Sequence, residues 1–195
     1  MATYGNSDVR GGVRPLKMVG GAPYNGAVFQ CHIPSTYATA TYLYDVVKST
    51  GTATGSNGGP VCMEVNNAAA TNTVLGSVIS ISPNASTPNK VYRSASTNGY
   101  VLVADLRGVV CYAQADGAMA VTDVGAMTDL VTTHGGSTVT NLSGMEVNST
   151  SQASAATFHI LGLLQHPDSP LMTDSWPKLE VRVNESELGD GAAGT

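Results

Sequence analysis

The sequence predicts an all-β chain: a single-domain antiparallel β-sandwich or barrel, jelly-roll-like among the options, with an irregular N-terminal arm. Three observations lead there. Charged residues are only 12% of the 195 positions, against a usual share of roughly 25%, and Ser, Thr, Asn and Gly fill the gap. The 22 glycines and 9 prolines suit many turns and not helices, which favour Glu, Lys, Leu and Gln. Short runs rich in Val, Ile, Tyr and Thr recur between turn-forming residues, and none keeps a helical period for long. Such a chain is long enough to bury a core without metal or disulfide staples.

The elements follow in order. Residues 1–27 read as an irregular arm, broken by the Gly11-Gly12 and Gly20-Gly21 pairs and by Pro15 and Pro23. Three of the nine basic residues, Arg10, Arg14 and Lys17, fall in it. It is either a solvated terminus or an arm that orders against a neighbour. In the second case Arg10, Arg14 and Lys17 pair with a partner's carboxylates, Tyr24 packs at the contact, and removing the arm leaves a folded β domain over residues 28–188. Strands are predicted for Val28 to Ile33, for Thr41 to Lys48 with Tyr42, Tyr44 and Val46 on one face, for Val61 to Val65 and for Val74 to Ile81. A loose loop covers residues 49–59. Gly76 inside its strand signals a bulge or a close backbone approach.

Tyr100 to Asp105 and Val109 to Ala115 are the most strongly patterned runs, apolar at nearly every position and joined by Leu106-Arg107-Gly108. They predict an antiparallel hairpin covered on both faces, at the centre of the core. Asp123 is placed to cap one helical turn, which Gly125 keeps short. Residues 137–147 suggest a polar hairpin and residues 148–157 a linker. Phe158 to Leu164 reads as a buried strand. In the last strand Leu179, Val181 and Val183 alternate with Lys178, Glu180, Arg182 and Asn184, the period of a strand with one wet face. Residues 189–195 read as a flexible tail.

The candidate chemistry is sparse. Cys31, Cys62 and Cys111 lie far apart in β-like runs and read as buried small hydrophobes rather than a disulfide or metal set. His159 and His166 lack a ligand partner at i+2 or i+4, and His134 sits in a glycine-rich turn. No Gly-x-Ser-x-Gly elbow, calcium loop or phosphate loop is present. Asp105, Asp116, Asp123 and Asp129 are the acids available for a glycosidase pair, but Asp105 and Asp116 hold turn positions that aspartate favours for backbone reasons. The net charge of −5 argues against broad nucleic-acid binding. No signal pattern or run of transmembrane length occurs, so a protein made in the cytoplasm is expected, without cofactor, metal or membrane partner.

Several segments, in this order and spacing, resemble the capsid decoration (cement) proteins of tailed bacteriophages. They are Gly21-Ala-Pro-Tyr24-Asn-Gly26, Ile33-Pro-Ser-Thr36 with Ala40 to Lys48, Val74-Leu-Gly-Ser-Val78, Tyr100 to Asp105, and Gln114-Ala-Asp-Gly117 with Asp123-Val-Gly125 and Asp129-Leu130. Gly144-Met-Glu146, Ile160-Leu-Gly162 with Pro167, and Leu179 to Asn184 complete the set. The resemblance spans nearly the whole chain. It implies a non-enzymatic all-β virion protein on the outer surface of an icosahedral head, over joints between subunits of the major capsid (coat) protein. Low charge and edge-capable strands, with the threefold joints common in such shells, add the expectation of a homotrimer, with a dimer as the alternative. The rival readings are a receptor-binding fibre module and a small carbohydrate-active hydrolase.

Overall fold

The computed structural model describes residues 5–54, 60–70, 73–150, 156–167, 169 and 171–189. Its strands are β1 (Arg14–Met18), β2 (Val28–Ile33), β3 (Val46–Thr54), β4 (Cys62–Asn67), β5 (Gly76–Ile81), β6 (Gly99–Asp105), β7 (Val109–Gln114), β8 (Met127–Thr128), β9 (Leu130–Val131), β10 (Glu146–Val147), β11 (Phe158–Leu163) and β12 (Lys178–Val183). One 3₁₀ turn, Val121–Asp123, is the only helical piece among the described residues. No helix there is long and apolar enough to cross a membrane. The chain is all-β, as its composition predicts.

The strands form two layers. β2, β4, β3, β5 and β6 close into a barrel, and β1-β7-β12-β11-β8 form an antiparallel sheet beside it. β9 and β10 make a short separate ribbon. Cys31, Ile33, Val47, Val65, Leu75, Val78, Val101 and Val103 fill the barrel. A second core, between barrel and sheet, joins Val46, Val74, Ala104 and Leu106 to Val109, Cys111, Phe158, Ile160, Leu179 and Val181. Each buried Val, Leu, Ile or Phe contributes about 1.5–3 kcal/mol. Within the barrel, Gly76 permits a close approach of β5 to β6: a Cβ there would collide with the Ala104 carbonyl oxygen and the Val103 side chain.

The hairpin expected over residues 100–115 does not form. β6 pairs with β2 and β5 in the barrel, whereas β7 pairs with β1 and β12 in the sheet. Leu106 to Gly108 turn a corner between layers. The Asp105 carboxylate accepts from the Arg107 backbone N–H at 2.9 Å and from its guanidinium at 2.6 and 2.8 Å, and Gly108 takes a left-handed φ of 66°. Both runs are apolar because two cores lie on either side of the junction, which the buried Leu106 plugs. Central they are, but in different layers.

The N-terminal segment is also corrected. Residues 14–18 are a sheet strand, held along β7. Val13 is fully buried, its N–H donating to Tyr44 O at 3.1 Å and its carbonyl accepting from Ser77 Oγ at 2.6 Å. Residues 19–21 then turn back, and residues 22–24 flank the outer edge of β1 through the Met18 N–H to Ala22 bond (2.8 Å) and a Lys17–Pro23 bridge. Pro15 is tolerated because β1 is an edge strand with a bulge, the setting in which a missing N–H costs least. The arm is therefore part of the β domain from Val13 onward. Residues 1–4 and 190–195 lie outside the described residues, so the flexible tail expected over residues 189–195 falls there but for Gly189.

Three smaller expectations change. β3 begins at Val46 and runs through Gly51 to Thr54, so the loop expected from residue 49 starts later, with residues 55–59 outside the described set. Tyr44 takes a left-handed φ of 67°, breaking the alternation expected from Thr41. The stretch 137–147 forms turns and the short β10, not a hairpin.

Asp45 secures that turn. Its buried carboxylate accepts from the Tyr42 backbone N–H at 2.8 Å and from Asn67 Nδ2 at 3.1 Å. Burial outweighs these bonds and pushes its pKa up to about 6. A folded-state pKa above the unfolded value of about 3.9 means that the native state holds the proton longer. Stability from this group is full at low pH and is lost as pH rises from about 4 to 6, by about 2–3 kcal/mol. Asp45→Asn keeps an acceptor and removes the ionisation. The variant is expected to lack this fall in urea denaturation between pH 4 and 7; a parallel fall in both proteins would contradict the assignment.

Candidate functional site

The outer face of the sheet, opposite the core, gathers the chain's scarce positive charge. Register fixes its membership: Arg14 and Glu180 flank Tyr112, Lys17 and Arg182 flank Val110, Lys178 faces Gln114, and His159 faces Arg182. Four of the nine Lys and Arg residues thus share one sheet face, and among the register partners named Glu180 is the carboxylate. A β-bulge makes this possible. Arg14 and Lys17 are three residues apart and would project to opposite faces of a regular strand; the register shift between Pro15 and Lys17 returns both to the same side. Leu16, at the bulge, is exposed.

The face is preorganised. The Arg14 guanidinium lies 4.9 Å from the centre of the Tyr44 ring and 5.4 Å from that of Tyr112, within cation–π range. Its Nε donates to Gly11 O at 3.0 Å. Lys17 Nζ donates to both oxygens of Glu180 at 2.8 and 2.9 Å. Arg182 is exposed, whereas Lys178 is buried at the face's end. Beside Arg182 opens a cavity of about 530 Å³, also lined by Thr73, Arg107, Asn184 and Ser186.

The four residues singled out in the N-terminal segment separate. Arg14 and Lys17 come together on the face. Arg10 is committed within the chain: Nη2 donates to Asp8 Oδ2 at 3.1 Å, and Nε lies 3.2 Å from Glu146 Oε2. The Glu146 carboxylate is sealed from solvent, with Gln114 Nε2 at 2.8 Å and His134 Nδ1 at 2.8 Å. Burial raises its pKa, opposed by the Gln114 bond, the charge of Arg10 and the neighbouring His134. Gln114 also donates to Asp8 at 2.8 Å and accepts from the Val9 N–H at 2.9 Å, clamping this segment across the sheet's end. Tyr24 is not on the face. It packs against the inter-layer core and its hydroxyl donates to Ala27 O at 2.5 Å.

The acids considered for hydrolysis hold loops. Asp105 binds Arg107, Asp116 accepts from the Ser149 N–H at 2.7 Å, Asp123 from the Ala120 N–H at 2.8 Å, and Asp129 from the Thr157 N–H at 3.4 Å. His32 Nδ1 lies 3.4 Å from Glu64, beside the Tyr100 ring. The thiols are free, Cys31 and Cys111 buried and Cys62 half-buried. Burial pushes Cys31 and Cys111 up to about 12, keeping them protonated. Among the described residues no group of His, Cys, Asp and Glu is placed to hold a metal ion.

Sequence reasoning missed Tyr44, Tyr112, Arg182 and Arg93. The alternation of residues 178–184 already placed Arg182 on a wet face, but not that β1 lies two strands away on the same side. No protein-family model, curated protein or solved structure matches this chain.

Proposed function

We propose that this is a non-enzymatic structural protein of a tailed-phage virion. It binds the outer surface of the head and stabilises joints between coat subunits through the outer face of its sheet. The observation that carries the reading is the gathering of Arg14, Lys17 and Arg182 on one sheet face, with Lys178 buried at its end, in a chain whose net charge is −5. Charge sorted this way steers association and fixes orientation more than it adds affinity. Tyrosine and arginine at its centre are residue types favoured at interface hot spots. The resemblance to decoration proteins supplies the partner, the coat protein, and the proposal that copies meet as a homotrimer, with a dimer as the alternative.

The test is addition of purified protein to undecorated heads. The double variant Lys17→Glu, Arg182→Glu is expected to bind at least tenfold more weakly, because like charges would face the coat's acids. Wild-type binding is expected to weaken with salt. Unchanged decoration by a folded double variant would contradict this use of the face.

A further inference from the structure

We infer that Arg14 and Arg182 are a two-point receptor for carboxylates on an acidic protein surface. This rests on the docking reading above and assigns the partner's chemistry. Arg14 carries the stronger argument. Its guanidinium lies 4.9 and 5.4 Å from the centres of the Tyr44 and Tyr112 rings and is pinned through Nε on Gly11 O. The Nε edge is used, which leaves the Nη1–Nη2 end. Among the described residues no acceptor meets that end. A planar fork with one open end matches the two coplanar oxygens of a carboxylate. Its conformational freedom is already spent, so binding orders little more.

Arg182 sets the second point. Arg14 and Glu180 flank Tyr112, and Arg182 lies two residues beyond Glu180 on β12. Two strand spacings and two residue rises put the two arginine Cα atoms about 12 Å apart. Lys17 lies between them in projection, but its charge is matched by Glu180. The face therefore offers two separated cationic points and not a continuous stripe. That favours discrete acidic side chains over a nucleic-acid backbone, which carries a charge every ~1.7 Å and would meet Glu180 and a net-negative chain.

Gly11 supplies a test that leaves charge untouched. A Cβ at Gly11 would occupy the seat of the Arg14 guanidinium, clashing with the far end of a flexible side chain and not with backbone. Gly11→Ala is therefore expected to fold and to displace the guanidinium.

The probe is poly-L-glutamate, titrated at low salt and followed by NMR of the arginine Nε–H groups. The Arg14 and Arg182 signals are expected to shift and that of Arg93 to stay. Arg14→Lys keeps the charge but loses the fork, and is expected to bind about tenfold more weakly; Gly11→Ala should weaken binding several-fold, with melting temperatures of both variants close to wild type. A DNA duplex of equal charge is expected to bind more weakly than poly-L-glutamate. Equal poly-L-glutamate affinity for wild type and Arg14→Lys overturns the receptor, as does tighter binding of the duplex. The head assay is scored separately. Wild-type decoration with an indifferent Arg14→Lys would remove the receptor and keep the docking face. A receptor that behaves as expected on a protein that never decorates heads would do the reverse.

Discussion

A chain truncated to begin at Val19 is expected to lose its cooperative fold. The truncation removes β1, which pairs with β7 at four positions, and with it the fully buried Val13 and the half-buried Met18. Burial of the two side chains is worth about 1.5–3 kcal/mol each, and each ladder hydrogen bond about 1 kcal/mol. With one such bond for each of the four paired positions, the sum, about 7–10 kcal/mol, rivals the whole stability of an ordinary domain, about 5–15 kcal/mol. Truncation also exposes β7, a central apolar strand, as a new sheet edge prone to association. Chemical denaturation and size exclusion read the outcome. A truncated protein that stays monomeric and melts within a few degrees of the full chain would show that the segment is an appendage.

Arg93→Ala is expected to cost about 3–5 kcal/mol, the scale of leaving several buried carbonyls without a donor. Arg93 is almost fully buried, and among the described residues no carboxylate faces it. Its guanidinium instead donates to four carbonyls: Nε to Thr97 (2.7 Å), Nη1 to Thr39 (2.8 Å), and Nη2 to Pro34 (2.8 Å) and Tyr37 (3.0 Å). The Tyr37 ring lies 5.6 Å away, and Arg93 and Thr41 exchange backbone bonds at 2.8 and 3.0 Å. One side chain thus ties the loop after β2 to the loop before β6. Truncation leaves four carbonyls facing a void, each about 1–3 kcal/mol worse if water cannot reach it. Lysine has a point charge where a fork is needed, so Arg93→Lys should recover less than half of the loss. A melting temperature lowered by roughly 10 °C is expected; a change under about 2 °C would mean that water replaces the guanidinium.

How far the sequence reveals this fold depends on what each signal encodes. Alternation in residues 178–184 is a local pattern and locates β12, its buried face and the position of Arg182. The unbroken apolar runs on either side of Leu106-Arg107-Gly108 locate β6 and β7 equally well. They do not say whether consecutive strands pair, because a tight hairpin and a corner between layers use similar turn residues. The missed strand β1 carries a proline, a bulge and flanking glycines. Each is a breaker in isolation, and each is acceptable on a sheet edge. Tyr44 and Arg93 left no periodic trace: one turns the chain in a left-handed conformation and the other gathers carbonyls from residues 34–39 and from Thr97. The basic face was half visible, as Arg14 and Lys17 in one segment and Lys178 and Arg182 in another. Only β7, inserted between them, makes those halves one surface.

Hydroxyl-radical footprinting of the protein, free and bound to heads, tests the docking face most directly. Tyr112 sits half-buried at its centre, between Arg14 and Glu180. Tyr92 is stacked on Tyr42 elsewhere on the surface and serves as the internal reference. Oxidation of Tyr112 is expected to fall severalfold on decorated heads while that of Tyr92 stays level. Unchanged oxidation of Tyr112, with Tyr92 protected in its place, would move the contact off the sheet and contradict the account.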